Sequence, residues 1–449
     1  MTVLDVYLEA GLEPVGKLSS SEDGTMSFAY ITDAIPHPVS LSMPIREEPY
    51  GDVITRGFFS NLLFENEMRD QIMQRHGISE RDIVGLLFHL GADCPGAISC
   101  VPEGSPPGKR PGRLDLDYGA LDGSPAIPGA LSAVTNPLPV AGSLAEIMVS
   151  LRDHRRVPPQ TEDPSPLAGV QGKIALARLP DGRLGLPHPG SGAPTTHILK
   201  VPRAADMTSV LREHLATRLM ARAQTHQVAE TCVLGEGDLK GLLVARFDRR
   251  LDGNVVHRVH QEDFCQALGF GHWLKYERNG GEGRAFTAGA IGRLLDATRV
   301  PAKARQAFFE ITLVNLVLGN SDNHAKNHAL LHTGSKPELA PAYDIDPVML
   351  DNVTHEMSFR IGEARVADDI TGEDLDHFLK ALGARSFGKP QQRRTASIIQ
   401  TLLKAADELP RPAAKGLCDV IRQQAHHLSR NIGLGLDVPE FDAVPVNRP

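Results

Sequence analysis

The chain has 449 residues, more than one ordinary hydrophobic core organises, so two or three domains are expected. A net charge of −8 argues against autonomous nucleic-acid binding through a broad basic surface and leaves room only for a local basic patch. The five cysteines (Cys94, Cys100, Cys232, Cys265 and Cys418) are scattered and form no Cys-x2-Cys pair. That usage fits a reducing, cytoplasmic setting and argues against a disulfide framework or zinc site.

The first ten residues carry acids early and show no basic stretch followed by an apolar one, so no signal peptide is expected and the whole chain is taken as the mature protein. Residues 1–101 read as a compact α/β unit: Val3–Leu8 and Met26–Ile31 alternate as strands do, while Phe58–Leu63 and Asp82–His89 have helical apolar spacing. Residues 102–164 form the next block. Pro106-Pro107-Gly108 and Pro111-Gly112 punctuate its first part, which suits a linker or long surface excursion. Ser143-Leu144-Ala145-Glu146 then has the form of a capping box opening a short helix to about His154.

Residues 165–250 change pattern. Lys173–Leu179, His197–Val201 and Gly241–Asp248 read as strands, and Ser209–Ala223 as a helix between the last two. Beyond Gln261 the remainder, 251–449, is mostly helical, with helices predicted over Pro301–Leu318, Thr395–Ala406 and Leu417–Ile432. The longest apolar stretch, Phe308–Leu318, is interrupted by Glu310, Thr312 and Asn315 and is too short for a membrane span; a buried helix is expected.

Chemistry concentrates after that helix. Gly319-Asn320-Ser321-Asp322-Asn323-His324-Ala325-Lys326-Asn327 places an acid and an amide five residues apart on one tight loop, and Ala342-Tyr343-Asp344 follows. Asp322 could orient a hydroxyl, while Asn327 and Asp344 offer the oxygen ligands that magnesium prefers. The set matches the parts used for phosphoryl transfer by protein kinases. On spacing alone it also reads as an ordinary helix-terminating loop, since Asp, Asn and Gly are common turn residues.

Three other segments admit two readings. Lys200 ends an apolar strand and Glu213 lies thirteen residues on; they are either a phosphate lysine with its acidic partner or two solvated surface charges. The stretch Ser165-Pro166-Leu167-Ala168-Gly169-Val170 could bring backbone N–H groups to phosphate oxygens or be a plain turn, and it lacks the Walker A pattern. Phe247-Asp248-Arg249-Arg250 is either an adenine-contacting hinge or a strand end with a solvated charge cluster. His324 and His328 are four apart but lack the glutamate of a His-Glu-x2-His zinc site.

Together these segments resemble the HipA family of bacterial toxin serine/threonine kinases over nearly the whole chain. The carriers are the 319–327 loop, Leu339–Asp344, Gly169-Val170-Gln171-x-Lys173, Thr195–Lys200, Arg246–Arg250, Gln261-Glu262-Asp263 and Lys275-Tyr276-Glu277, with Ser40–Pro44 and Phe58–Leu63 in the N-terminal unit. The resemblance implies an α+β, two-lobed protein-kinase-like fold with an N-terminal α/β accessory subdomain and a mostly helical C-terminal lobe. It implies ATP and Mg2+ as cofactors. Asp322 would be the catalytic aspartate, Asn327 and Asp344 the metal ligands, Lys200 the phosphate lysine paired with Glu213, and Phe247 the hinge residue. Leu167, Ala168, Gly169, Val170 and His324 would complete the nucleotide site.

The same resemblance implies a HipB-type DNA-binding antitoxin as partner, DNA contact only through that antitoxin, and no membrane association. It implies a protein substrate such as an aminoacyl-tRNA synthetase, glutamyl-tRNA synthetase being the best-known target, whose phosphorylation inhibits translation. One departure stands out: many members carry an autophosphorylated regulatory serine where this chain has Pro166, with Ser165 one residue earlier as the candidate replacement. The alternatives are a catalytically silent nucleotide-binding corepressor and a small-molecule kinase.

Overall fold

The structure, a computed structural model, describes residues 2–8, 11–63, 73–79, 81–158, 172–410 and 414–449. The chain divides into two compact units: Met1–Val210 with Ala229–His272 and Leu330–Ser335, and Leu211–Val228 with Trp273–Ala329 and Lys336–Pro449.

In the first unit, β1 (Thr2–Leu8), β2 (Gly16–Ser20), β3 (Met26–Tyr30) and β4 (Ile98–Pro102) form an antiparallel sheet ordered β3-β2-β1-β4. Burial alternates along β2 and β3, so Leu18, Met26 and Phe28 point inward with the two-residue period of a half-buried sheet. Helices α1 (Asp52–Phe59) and α2 (Ile83–Leu90) contribute Phe58, Phe59, Val84 and Leu87 to the same core. The apolar run Phe58–Leu63 does not form one helix; α1 stops at Phe59 and a 3-10 turn covers Ser60–Leu62. Asp82 caps α2 by accepting Gly85 N–H at 2.7 Å.

Segment 102–142 is not a bare excursion. It lays down β5 (Gly112–Arg113) and β6 (Tyr118–Ala120), the second an edge strand of a six-stranded sheet. Leu121, Ile127, Leu131 and Val134 are buried, and Tyr118 donates to Pro194 O at 2.6 Å. Such isolated anchors between Pro and Gly carry no periodicity, which is the signal that sequence reading depends on. Helix α3 (Gly142–His154) follows, with Ala141 rather than Ser143 at its N-cap and no side-chain cap; Ser143 Oγ instead donates to Asp122 O.

The six-stranded sheet runs β10-β11-β9-β7-β8-β6, built from β6 with β7 (Gly172–Arg178), β8 (Leu184–Pro187), β9 (His197–Val201), β10 (Thr231–Leu234) and β11 (Gly241–Ala245). Leu144, Ile147, Met148 and Leu151 of α3 share a core with Ile174, Leu176, Leu199 and Leu243. Helix α4 (Thr208–Ala223) connects β9 to β10, belonging to the second unit from Leu211 onward.

β11 ends at Ala245, three residues short of the expected strand, because the chain turns there into a buried ion network. Arg246 makes a bidentate pair with Asp248 at 3.0 and 2.8 Å, and Gly96 N–H donates to Asp248 at 2.9 Å. Arg249 donates to Thr195 O at 2.8 Å and to Gly96 O at 3.2 Å. From β13 (Val255–Arg258), paired with β12 (Arg249–Asp252) and β5, Arg258 donates to the carbonyls of Cys94, Gly96 and Ile98. Asp248 is only 2 % exposed, so the expectation of a solvated cluster is overturned: these charges tether the end of β11 to residues 94–98. Burial alone would raise the Asp93 carboxyl, yet Lys109, Arg258, Arg249 and Arg246 hold it down to about 2. Burial likewise opposes ionisation of Asp248, and Arg246 and Arg249 overcome it, keeping this carboxyl well below the usual range.

A second tether joins the Ser40–Pro44 motif to β14 (His260–Asp263). Glu262 accepts hydrogen bonds from Ser40 Oγ, from Leu41 N–H at 3.0 Å and from His332 at 2.9 Å. His260 Nε2 meets Val39 O at 2.8 Å. Helix α5 (Phe264–Leu268) continues from β14 through a capping box made by Asp263 and Gln266.

The second unit is mostly helical: α6 (Ala288–Asp296), α7 (Pro301–Leu318), α8 (Gly372–Ala381), α9 (Lys389–Asp407) and α10 (Lys415–Asn431). Helix α7 starts with Pro301 in its first turn, where no backbone donor is lost, and packs against α9 and α10. Its last eleven residues are all buried, including the polar ones. Glu310 is satisfied by Arg394 at 2.9 and 2.6 Å and by Gln306 at 2.8 Å. All five cysteines are buried as thiols. Among the described residues no helix is long and apolar enough to cross a membrane.

Candidate active site

Helix α7 delivers the Asp-Asn loop. It ends at Gly319 with φ +73°, a left-handed conformation that any side chain would strain, and a Cβ there would lie 2.5 Å from Val420 Cγ1. Asn320 then folds back onto the helix: its N–H donates to Asn315 O and its amide nitrogen to Asn315 Oδ1, both at 2.9 Å. These bonds fix the direction in which the loop leaves.

Within the loop, Asn320 Oδ1 accepts Asp322 N–H at 3.1 Å, and Asp322 O accepts His324 N–H at 2.8 Å and the Asn327 amide nitrogen at 2.9 Å. The last bond assigns the Asn327 amide: nitrogen toward Asp322 O, oxygen left for a ligand. Asp322 is half-buried. Its Oδ1 accepts the Tyr276 hydroxyl at 2.7 Å, and Oδ2 has no hydrogen bond among the described residues.

Asp344 is carried on a neighbouring loop bonded directly to the first one. Tyr343 OH donates to Lys326 O at 2.7 Å, Met349 N–H donates to Gly319 O at 3.1 Å, and Ala342 N–H donates to Gln227 O at 2.8 Å. Asp344 has φ +60°, a conformation more accessible to Asp than to most side chains. Asp322, His324, Asn327 and Asp344 therefore come together in the second unit. Burial pushes His324 down to about 4, against the opposing pull of Asp322 and Asp344, so its imidazole is neutral near pH 7; its Nδ1 is buried without a hydrogen-bond partner. His328 is also neutral, held at about 3 by burial and by His324.

Lys200 and Phe247 lie in the first unit. Lys200 is half-buried on β9, a central strand, and pairs in register with Leu242 of β11 and Lys173 of β7. Directly opposed residues share a sheet face, so two lysines stand side by side, an arrangement that favours an anion near them. Phe247 is half-buried directly after β11, beside the Arg246–Asp248 pair. Glu213 is 5 % exposed on α4, in the second unit. Ser165, Pro166, Leu167, Ala168, Gly169 and Val170 lie outside the described residues.

Residues 165–409 match the family model of the HipA-like C-terminal domain, and residues 4–101 that of the HipA N-terminal domain. The chain belongs to the HipA-like family of serine/threonine kinase toxins. It is 33 % identical over 411 residues to the Sinorhizobium fredii protein named "Putative kinase Y4mE", covering 90 % of each chain. It is 30 % identical over 365 residues to the serine/threonine-protein kinase toxin HipA of Shewanella oneidensis, covering 77 % of this chain and 75 % of that one. A solved Shewanella oneidensis complex of HipA, HipB and operator DNA contains a chain that matches with a TM-score of 0.74 at 25 % identity, over 96 % of this chain and 97 % of that one. The fold is thus the expected α+β, two-lobed, kinase-like HipA fold.

Three contacts in this HipA-family chain were not assigned from sequence. Tyr276 was visible only as the middle of Lys-Tyr-Glu, with nothing marking its bond to Asp322 forty-six positions away. Lys173 was visible as a motif residue, but its place opposite Lys200 depends on strand register. Arg212 carried no signal at all; it reaches Asp346 and Asp351 from α4.

Proposed function

We propose that this HipA-family chain is an ATP-dependent serine/threonine protein kinase whose catalytic aspartate is Asp322. The observation that carries the reading is the division of labour in the 319–327 loop. Tyr276 holds one oxygen of Asp322, leaving the other to receive a substrate hydroxyl, while the Asn327 amide nitrogen is committed to Asp322 O and its oxygen is available.

The donor set fits magnesium. Asn327 and Asp344 supply hard oxygen ligands, and the ion usually takes one or two such groups together with substrate phosphates. When bound, the metal would neutralise charge on the transferring phosphoryl group. The chain's own tasks are positional: Asp322 orients the hydroxyl and accepts its proton, Lys200 with Glu213 steadies the phosphates, and neutral His324 adds no charge beside them. Phe247 would stand at the adenine hinge, and residues 167–170 over the phosphates.

The family supports a protein substrate, with an aminoacyl-tRNA synthetase such as glutamyl-tRNA synthetase as the first candidate and inhibition of translation as the consequence. The complex of the Shewanella relative supports a HipB-type antitoxin as partner, through which DNA would be reached. The test is transfer of labelled phosphate from Mg-ATP to candidate synthetases. Asp322→Asn should lower transfer by about 10²- to 10⁴-fold while nucleotide binding persists; unchanged transfer would remove Asp322 from this role, and a wild-type chain that binds nucleotide without transferring phosphate would favour a silent corepressor.

A further inference from the structure

Arg212 is committed to two carboxylates on the segment that follows Asp344. Its Nε donates to Asp346 Oδ1 at 3.0 Å, and its two terminal nitrogens donate to Asp351 Oδ1 and Oδ2 at 2.9 and 2.8 Å, a fork-to-fork pair. The guanidinium is well covered, its side chain 13 % exposed, so solvent screens the contact less than at an open surface. Asp351 is gripped from its other side as well. His355 Nε2 meets its carbonyl at 3.2 Å, and His355 Nδ1 accepts Asn447 N–H at 3.1 Å, which leaves Nε2 as the donor to Asp351.

The segment so held begins at Asp344, whose left-handed backbone is a shape the surroundings must maintain. Met349 N–H on Gly319 O supplies one restraint, and the Arg212 fork supplies the only described side-chain salt bridges to the stretch from Asp346 to Asp351. The neighbouring residue on the same helix is Glu213, the proposed partner of Lys200.

Resting on the kinase reading above, the geometry points to Arg212 as a positioning residue that sets the placement of Asp344, making the metal site responsive to the position of α4. A helix that shifts would carry away the restraint on the metal-binding loop. Arg212 touches neither nucleotide nor metal in this assignment; it acts through Asp346 and Asp351.

The test measures binding of a fluorescent ATP analogue to the full chain with and without magnesium, on the wild type and on Arg212→Ala, Arg212→Lys and Asp351→Asn. The magnesium-dependent gain in affinity should fall about tenfold in all three, in the range that outer-sphere supports of metal ligands typically show. Magnesium-free binding should stay unchanged, and phosphate transfer should need more magnesium to reach half its maximum. Lysine should fail to rescue, because a point charge cannot bridge two carboxylates as the planar fork does. Variants that keep the full gain and the wild-type magnesium requirement would overturn the role of Arg212. A wild-type chain with no magnesium-dependent gain would instead overturn the metal assignment itself. Should Arg212→Ala not fold, Asp351→Asn, which preserves shape and removes one arm of the fork, decides the matter.

Discussion

The Asp-Asn loop at 319–327 and the charged turn at 246–249 both follow an apolar element and both crowd polar residues into a few positions, yet they are stabilised in opposite ways. The loop is held largely by short-range bonds: Asn320 to Asn315, Asn327 to Asp322, His324 N–H to Asp322 O. The turn is held in large part by partners from far along the chain, at Asp93, Gly96 and Thr195. A loop that satisfies itself can leave Asp322 Oδ2 and the Asn327 oxygen for a ligand, whereas the buried network commits Arg246, Asp248 and Arg258 to neighbouring groups. The first region is suited to chemistry and the second to holding strands together.

Breaking the second region should therefore cost stability. Asp248→Ala leaves Arg246 and Arg249 buried without their carboxylate and should destabilise the chain by about 3–5 kcal/mol, read as a lowered denaturant midpoint. Breaking the first should cost activity instead. Asn327→Ala removes both the bond to Asp322 O and the proposed metal oxygen, so phosphate transfer should fall about 10²-fold while the midpoint shifts by no more than about 1 kcal/mol. Equal loss of stability in the two variants would erase the contrast.

Acid separates the regions further. The folded Asp93 carboxyl, held at about 2, lies below its unfolded value, so its contribution is complete above about pH 4 and is lost as pH falls through the folded value. That loss is on the order of 2 kcal/mol by linkage and should be seen as a denaturant midpoint that falls below pH 4; a flat profile there would count against the network. The smallest effect is expected at Tyr276. Tyr276→Phe frees Asp322 Oδ1 and should lower kcat about tenfold with little change in KM for ATP, since one hydrogen bond to a charged group is worth about 1.5–3 kcal/mol and the Asp322 main chain keeps its bonds to Asn320, His324 and Asn327.

How much could be read in advance follows the same division. The helix Pro301–Leu318 was delimited to the residue because a proline start, an apolar run and a terminal glycine are all local signals. The loop after it was legible for the same reason, and Asp322, His324, Asn327 and Asp344 do converge. For the turn at 246–249 one of the two readings, a solvated cluster, is excluded only by the structure, because burial of a charge depends on what arrives from elsewhere in the chain. Segment 102–142 was read as an excursion because its anchors are single residues. Tyr276 and Arg212 show no pattern along the chain that their partners could have revealed.

The sequence by itself determined the family, the kinase-like fold and which polar groups the 319–327 loop gathers, because spacing along one tight turn fixes which groups lie close together. Only the tertiary structure decided that Tyr276 holds one oxygen of Asp322, that Lys173 stands opposite Lys200, and that Arg212 grips the segment after Asp344. Those contacts join residues from 27 to 139 positions apart: strand register sets the lysine pair, and the packing of separate elements sets the other two.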